Sequence, residues 1–155
     1  MNIRDAIKKE GLVLPSPPLP VGNYCASLIS GNLLYISGQL PFDQGQMLYI
    51  GKLGETLSIE QGKQAAQLAA LNVLSQIDAA LKDTQFRFSK IIRLDGFINA
   101  TDSFTQHADV LNGASDLFAK VLGEQAGHIR TVHGCNSLPA GASVELAVTV
   151  ELSSQ

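Results

Sequence analysis

The chain is expected to fold as an α+β domain, a mixed sheet with two helices packed on one of its faces. Three observations lead there. A capped, alanine-rich helical stretch follows Ser58, a second helical stretch stops at Gly123, and the closing SVELAVTVEL alternates apolar and polar residues as a half-buried strand does. The order of elements is a hairpin and a short strand, a helix, a strand, a helix and two final strands. It lacks the regular βαβ alternation of a doubly wound sheet, so the helices are expected on one side and the other sheet face uncovered.

Each element has a local cause. Residues 2–10 read as a short helix with Asn2 as its cap and Gly11 as its stop. The following LVLPSPPLPVGN is held extended, because each proline biases its predecessor away from the helical region. YCASLIS and LLYIS, joined by Gly31-Asn32, read as a hairpin with a two-residue turn. Ser37-Gly38-Gln39-Leu40-Pro41 ends its second strand, with glycine allowing close backbone approach and proline ending the ladder. A short strand is expected around Met47–Ile50.

Ser58 and Gln61 then form a capping-box pattern that opens a helix reaching about Lys82. Its apolar stripe is Leu68, Leu71, Leu74, Ile77 and Leu81, beside Ala65, Ala66, Ala69 and Ala70, a spacing that marks core. Ser89–Ala100 reads as a strand, Thr101-Asp102-Ser103 as caps for a helix over 104–122, and 130–135 and 143–152 as the last strands. With no repeat, low-complexity tract or linker, residues 1–155 form one domain whose first 20 residues are a helix and a proline-rich arm.

Composition narrows the function classes. Net charge is −3, and no cluster of lysine and arginine exists, which argues against a nucleic-acid partner held through its phosphates. Low charge together with an uncovered sheet face leads to the expectation of an oligomer. Cys25 and Cys135 suit buried free thiols, and the three scattered histidines have no metal-ligand spacing. Gly11 to Phe42 carries no charge but holds five prolines, which rules out a spanning helix. The opening MNIRDAIKKEG lacks the apolar core of a signal peptide, so a cytoplasmic protein is expected.

No nucleophile elbow, P-loop or dinucleotide fingerprint occurs. What stands out is Arg130 and Glu145 framing TVHGCNSLPAGASV, a stretch with no charged residue. A guanidinium and a carboxylate in such surroundings are costly to desolvate unless they pair or meet a ligand. A structural ion pair or a solvent-facing strand residue explains them equally well. Tyr24 reads as cleft lining or as strand core with its hydroxyl at the rim, and Asn112 as a ligand contact or a surface polar residue. Ser37 suits a turn and His133 a structural histidine.

The segments GNYCASLISGNLLYISGQLP, SIEQGKQAAQLAALNVLSQI, IIRLDGFIN, NGASDLF and RTVHGCNSLPAGASVELAV together resemble the Rid, or YjgF, family of reactive-intermediate imine deaminases, also labelled endoribonuclease L-PSP. The likeness covers about Val21 to Glu151. It implies a chorismate-mutase-like α+β fold, assembled as a homotrimer around a central barrel with ligand clefts between subunits. By the resemblance, Arg130 grips the carboxylate of a small 2-imino or 2-enamino acid and Glu145 orients or activates water. Tyr24, the backbone at Gly38, Asn112, Thr131 and Val132 line the cleft. The implied reaction gives a 2-keto acid and ammonia and requires no metal or organic cofactor.

Such chemistry is coherent. A planar guanidinium holds a carboxylate through two parallel hydrogen bonds. An imine carbon is already electrophilic, so water needs orientation and a base more than a strong nucleophile. The chain departs from the family pattern at Val132, where active deaminases commonly carry cysteine or a small residue. The region before Asn112 and the proline arm are also longer, as in a less characterised subgroup. A carboxylate-binding trimer without catalysis and an endoribonuclease are the alternatives, the second opposed by the missing basic track.

Overall fold

Helix α2 (Ile59–Leu81) begins where the capping pattern puts it. The Gln61 N–H donates to Ser58 Oγ at 3.1 Å, and the Ser58 N–H donates to Gln61 Oε1 at 2.9 Å. Ala65, Ala66, Ala69 and Ala70 are fully buried with Val73, Leu74 and Ile77. Of the expected stripe, Leu74 and Ile77 are core, Leu71 and Leu81 are partly buried against it and Leu68 is partly buried, so the alanine side makes the closest core contact. The reason is closeness: small side chains let α2 lie against both the sheet and α3 (His107–Leu122). At their crossing, a Cβ on Gly113 would collide with the Lys63 carbonyl oxygen.

The computed structural model describes residues 1–154. Strands β1 (Ser27–Ser30) and β2 (Leu33–Gln39) pair across Gly31-Asn32, with Gly31 at φ +61°, a left-handed conformation that suits glycine. A two-stranded spur, β3 (Phe42–Asp43) and β4 (Gln46–Met47), follows. Strands β5 (Phe86–Asn99), β6 (Ile129–Cys135) and β7 (Val144–Ser154) complete one sheet in the order β1-β2-β7-β5-β6. Among the described residues, β5 and β6 are the one parallel strand pair and α3 is their crossover, so the expected α+β mixed sheet is present.

The alternation in β7 separates the two faces. Val144, Leu146, Val148, Val150 and Leu152 are buried under α2 and α3, while Glu145, Ala147, Thr149 and Glu151 face the other way. On that second face one row of strand partners crosses the whole sheet: Leu28, Tyr35, Thr149, Arg93 and Ile129. Leu28, Tyr35 and Ile129 are exposed there. Arg93 Nε donates to both carboxylate oxygens of Asp95, at 2.9 and 3.0 Å, and its Nη2 donates to Thr131 Oγ1 at 2.9 Å.

Helix α1 (Ile3–Lys9) is capped by Asn2, buries Ile3 and Ile7, and ties to α2 through the Arg4–Asp78 ion pair at 2.7 Å. The proline arm carries no regular secondary structure, and Gln76 Nε2 anchors it by donating to the Pro18 carbonyl at 2.7 Å.

Several boundaries differ from expectation. The first strand starts at Ser27, leaving Tyr24 in a loop, and β5 starts three residues before Ser89. The spur strand is shorter than expected, and Ile50 instead bridges Ala142. Helix α3 starts at His107, not Phe104, and Gln106 makes no side-chain cap. Thr101-Asp102-Ser103 caps nothing because the backbone there forms a turn before α3 begins: the Thr101 N–H donates to the Leu53 carbonyl and the Thr101 carbonyl accepts from the Phe104 N–H. Cys25 is exposed and Cys135 half-buried, so neither is the core thiol expected. Among the described residues, no helix is long and apolar enough to cross a membrane.

Candidate active site

Glu145 lies on the open face, in a row with Phe97 and His133. Its carboxylate folds over Gly38, where a Cβ would collide with Oε1. Gly38, expected in a turn but found at the end of β2 where its register with β7 shifts between Ile36 and Gln39, therefore makes room for a carboxylate. Burial holds the Glu145 carboxyl above its ordinary value of 4.5 by penalising the charged form. Among the described residues it neither accepts a hydrogen bond nor joins an ion pair, an unusual state for a half-buried carboxylate.

The surroundings form a cleft of about 280 Å³, lined by Leu19, Tyr24, Ser37, Gly38, Pro139 and Glu145 among others. Tyr24 is exposed, and its hydroxyl accepts from the Val21 N–H at 3.3 Å. Ser37 Oγ donates to the Cys25 carbonyl at 2.6 Å, a backbone group of the loop before β1 and not of a local turn as expected. The Leu138-Pro139 pair leads a tight turn over Pro139–Gly141 that returns the chain into β7, which is why the proline and Glu145 share a wall.

Arg130 belongs to the other face. Its strand partner is Leu94, a core residue, and its guanidinium reaches the flank of α3. Nη1 donates to Ser115 Oγ at 3.0 Å and Nη2 makes a longer bond to the Ala108 carbonyl at 3.4 Å. His128 Nε2 lies 3.0 Å from the same Ser115 Oγ, and His128 Nδ1 meets the Ala126 carbonyl. A carbonyl only accepts, so Nδ1 carries a proton, and in the neutral ring Nε2 accepts from the serine hydroxyl. The serine oxygen is then free to receive Arg130. The three side chains form a chain of defined direction, and the rest of the fork stays available.

Ala108, Asn112 and Ser115 follow one stripe of α3, which places half-buried Asn112 between the two groups that hold Arg130. Val132, two residues along β6, shares the face of Arg130 and packs against the core. Thr131 lies on the opposite face, bonded to Arg93, and His133 stacks near Phe97 with ring centroids 6.4 Å apart. The chain thus gathers Tyr24, Gly38 and Glu145 in one place and Arg130, Asn112 and Val132 in another. Thr131 belongs to neither. Among the described residues, no group of three or more His, Cys, Asp or Glu side chains could hold a metal ion.

The family model described as YjgF/chorismate mutase-like, putative endoribonuclease, matches residues 5–152. The chain belongs to the YjgF family. Protein TCP17 of Trypanosoma cruzi is 41% identical over 147 residues, 94% of this chain and 91% of that protein. The crystal structure of Atu1372 from Agrobacterium tumefaciens superposes with a TM-score of 0.88 at 39% identity, covering 97% of this chain and 92% of that one. RidA from the Antarctic bacterium Psychrobacter sp. PAMC 21119 superposes with a TM-score of 0.62 at 25% identity, covering 88% of this chain and 94% of that one.

Within this YjgF fold, residue patterns alone missed Ser115 and His128 as the supports of Arg130, and Leu19 and Pro139 as walls of the Glu145 cleft. A signal existed for two of them. Ser115 is one helical turn past Asn112, and His128 precedes Arg130 by the strand period of two.

Proposed function

We propose that the protein hydrolyses reactive 2-imino and 2-enamino acids to 2-keto acids and ammonia. The observation that carries this reading is Glu145: a half-buried carboxylate without a partner among the described residues, its proton affinity raised by burial, facing a cleft beside Tyr24 and Gly38. A base of that kind takes a proton from water as the oxygen bonds to the imine carbon. It returns that proton to nitrogen, giving a carbinolamine, and then carries the carbinolamine hydroxyl proton to the same nitrogen as the C–N bond breaks, so that ammonia leaves and the keto group forms. Arg130 supplies the other requirement, a fork preset by Ser115 and Ala108 to hold the substrate carboxylate in a plane.

Because the two residues lie on opposite sheet faces, the reading requires a second copy. The Arg130 of one subunit meets the Glu145 of its neighbour in a homotrimer, with the apolar open face turned inward. The trimer and its composite site stand or fall together.

The test measures ammonia release from freshly generated 2-iminopropionate beside calorimetric binding of 2-keto acids. Glu145→Gln is expected to keep binding and lose turnover. Arg130→Lys keeps the charge but loses the fork, weakening binding by about 1.5–3 kcal/mol. Equal ammonia release by wild type and Glu145→Gln would end the catalytic reading and leave a carboxylate-binding protein.

A further inference from the structure

The cleft that holds Glu145 is bounded on one side by Leu19. Beside it lies a larger groove, about 840 Å³ against about 280 Å³, between the proline arm and the β3–β4 spur. Pro18, Leu19, Val21 and Phe42 line both spaces, so the two adjoin. Further along, the groove is walled by Val13, Leu14 and Pro17. Its floor is rigid: Asn72 is buried, and its Nδ2 donates to the carbonyls of Leu40 at 2.9 Å and Phe42 at 3.0 Å. Its wall is rigid too, since Gln76 fixes Pro18 and four prolines fix their own φ angles over residues 15–20.

We propose that this groove receives the side chain of the same 2-imino acid whose reacting carbon lies at Glu145. The protein then selects long apolar side chains and rejects acidic ones. The inference rests on the proposed function only in placing a 2-imino or 2-keto acid in the Glu145 cleft. Apolar preference follows from the lining, mostly aliphatic and proline surface with Phe42. Rejection of acids follows from charge: the lining contains no lysine or arginine, and its one charged residue is Asp43. A second carboxylate would lose water and meet only a like charge.

The experiment is calorimetric binding of pyruvate, 2-oxobutanoate, 2-oxohexanoate, 2-oxooctanoate and 2-oxoglutarate to the full-length protein. Affinity is expected to rise about two- to fourfold per methylene, the effect of burying that group wholly or in part. 2-Oxoglutarate is expected to bind no better than pyruvate. Val13 is exposed, so Val13→Asp leaves the fold intact; it is expected to abolish the gain for 2-oxooctanoate and leave pyruvate unchanged. Asp43→Lys, also at an exposed position, is expected to admit 2-oxoglutarate. Equal affinity for pyruvate and 2-oxooctanoate overturns the proposal, as does a chain-length gain that survives Val13→Asp. Absence of ammonia from every imine, with the chain-length gain intact, rejects the catalytic reading and leaves the groove assignment standing.

Discussion

Arg130 and Glu145 point to opposite faces of one sheet, Arg130 in register with Leu94 and Val148, Glu145 in register with Phe97 and His133. Strand β5 separates β6 from β7, so no rotamer change brings the two charges around one small substrate. A site that uses both belongs to two copies of the chain.

Subunit mixing tests this directly. Arg130→Ala and Glu145→Ala proteins are each expected to be inactive. Co-refolded at equal amounts, they are expected to regain about one quarter of wild-type ammonia release, the random share of sites in a cyclic trimer that pair an intact arginine with an intact glutamate. Zero recovery from mixed trimers places the chemistry within one chain.

The open face supplies a test of assembly that leaves the core alone. Tyr35 is exposed on it, in the row with Leu28 and Ile129. Tyr35→Glu is expected to yield a folded monomer by light scattering, with an unchanged far-ultraviolet spectrum and no ammonia release. A trimer that persists in this variant places the subunit contact elsewhere.

Glu145 has a pH signature with a definite sign. Its folded-state pKa is raised, so the protonated form suits the fold better. That benefit is complete below the unfolded value near 4.5 and is lost as pH rises through the higher folded one. Glu145→Gln is therefore expected to melt higher than wild type at pH 7 and at the same temperature at pH 3.5–4. The acid limb of the wild-type rate should also fall above pH 4.5. A melting difference that does not change with pH contradicts the assignment.

Two glycines should respond differently to alanine because their obstacles differ. At Gly113 the obstacle is the Lys63 backbone carbonyl, which cannot swing aside. Overpacking costs of about 1–3 kcal/mol outweigh the roughly 1 kcal/mol that alanine gains in a helix, so the urea midpoint falls. At Gly38 the obstacle is the tip of the Glu145 side chain, which can move. Gly38→Ala is expected to shift the midpoint little and the turnover number greatly. The reverse pattern contradicts the roles given to them.

Ser115 should matter to binding more than to stability. Ser115→Ala removes one charge-assisted hydrogen bond, worth about 1.5–3 kcal/mol, from the group that fixes Arg130. Keto-acid affinity should fall while kcat stays within a small factor, and Ser115→Thr should restore it. An unchanged affinity in Ser115→Ala removes the serine from the positioning of Arg130.

Much of this molecule was legible in its residue order, for identifiable reasons. Helix α2 was readable because Ser58 and Gln61 form a local capping pair, and β7 because its alternation extends through Leu152. The start of α3 was not readable: Thr101 looks like a cap but bonds to Leu53, 48 residues earlier, a contact no local pattern carries. At the site, Glu145 and Gly38 stood out through the spacing that gave the family resemblance. Their mutual contact, and the separation of Glu145 from Arg130, depend on strand order. Odd spacing between two strands joined by a turn does not reveal which faces they occupy until the register is known.

The prolines of the arm have an effect beyond shaping a groove. An extended, apolar, exposed segment is ordinarily a template for another strand and a seed of aggregation. Of residues 15–20 only Ser16 and Leu19 have an amide proton, so the segment offers carbonyls but almost no donors. No ladder can propagate along it. The chain can therefore display a greasy extended surface to solvent without recruiting a second copy edge to edge. The same scarcity of amide protons makes this wall nearly invisible to hydrogen exchange, so its motion has to be followed through carbonyl or side-chain labels.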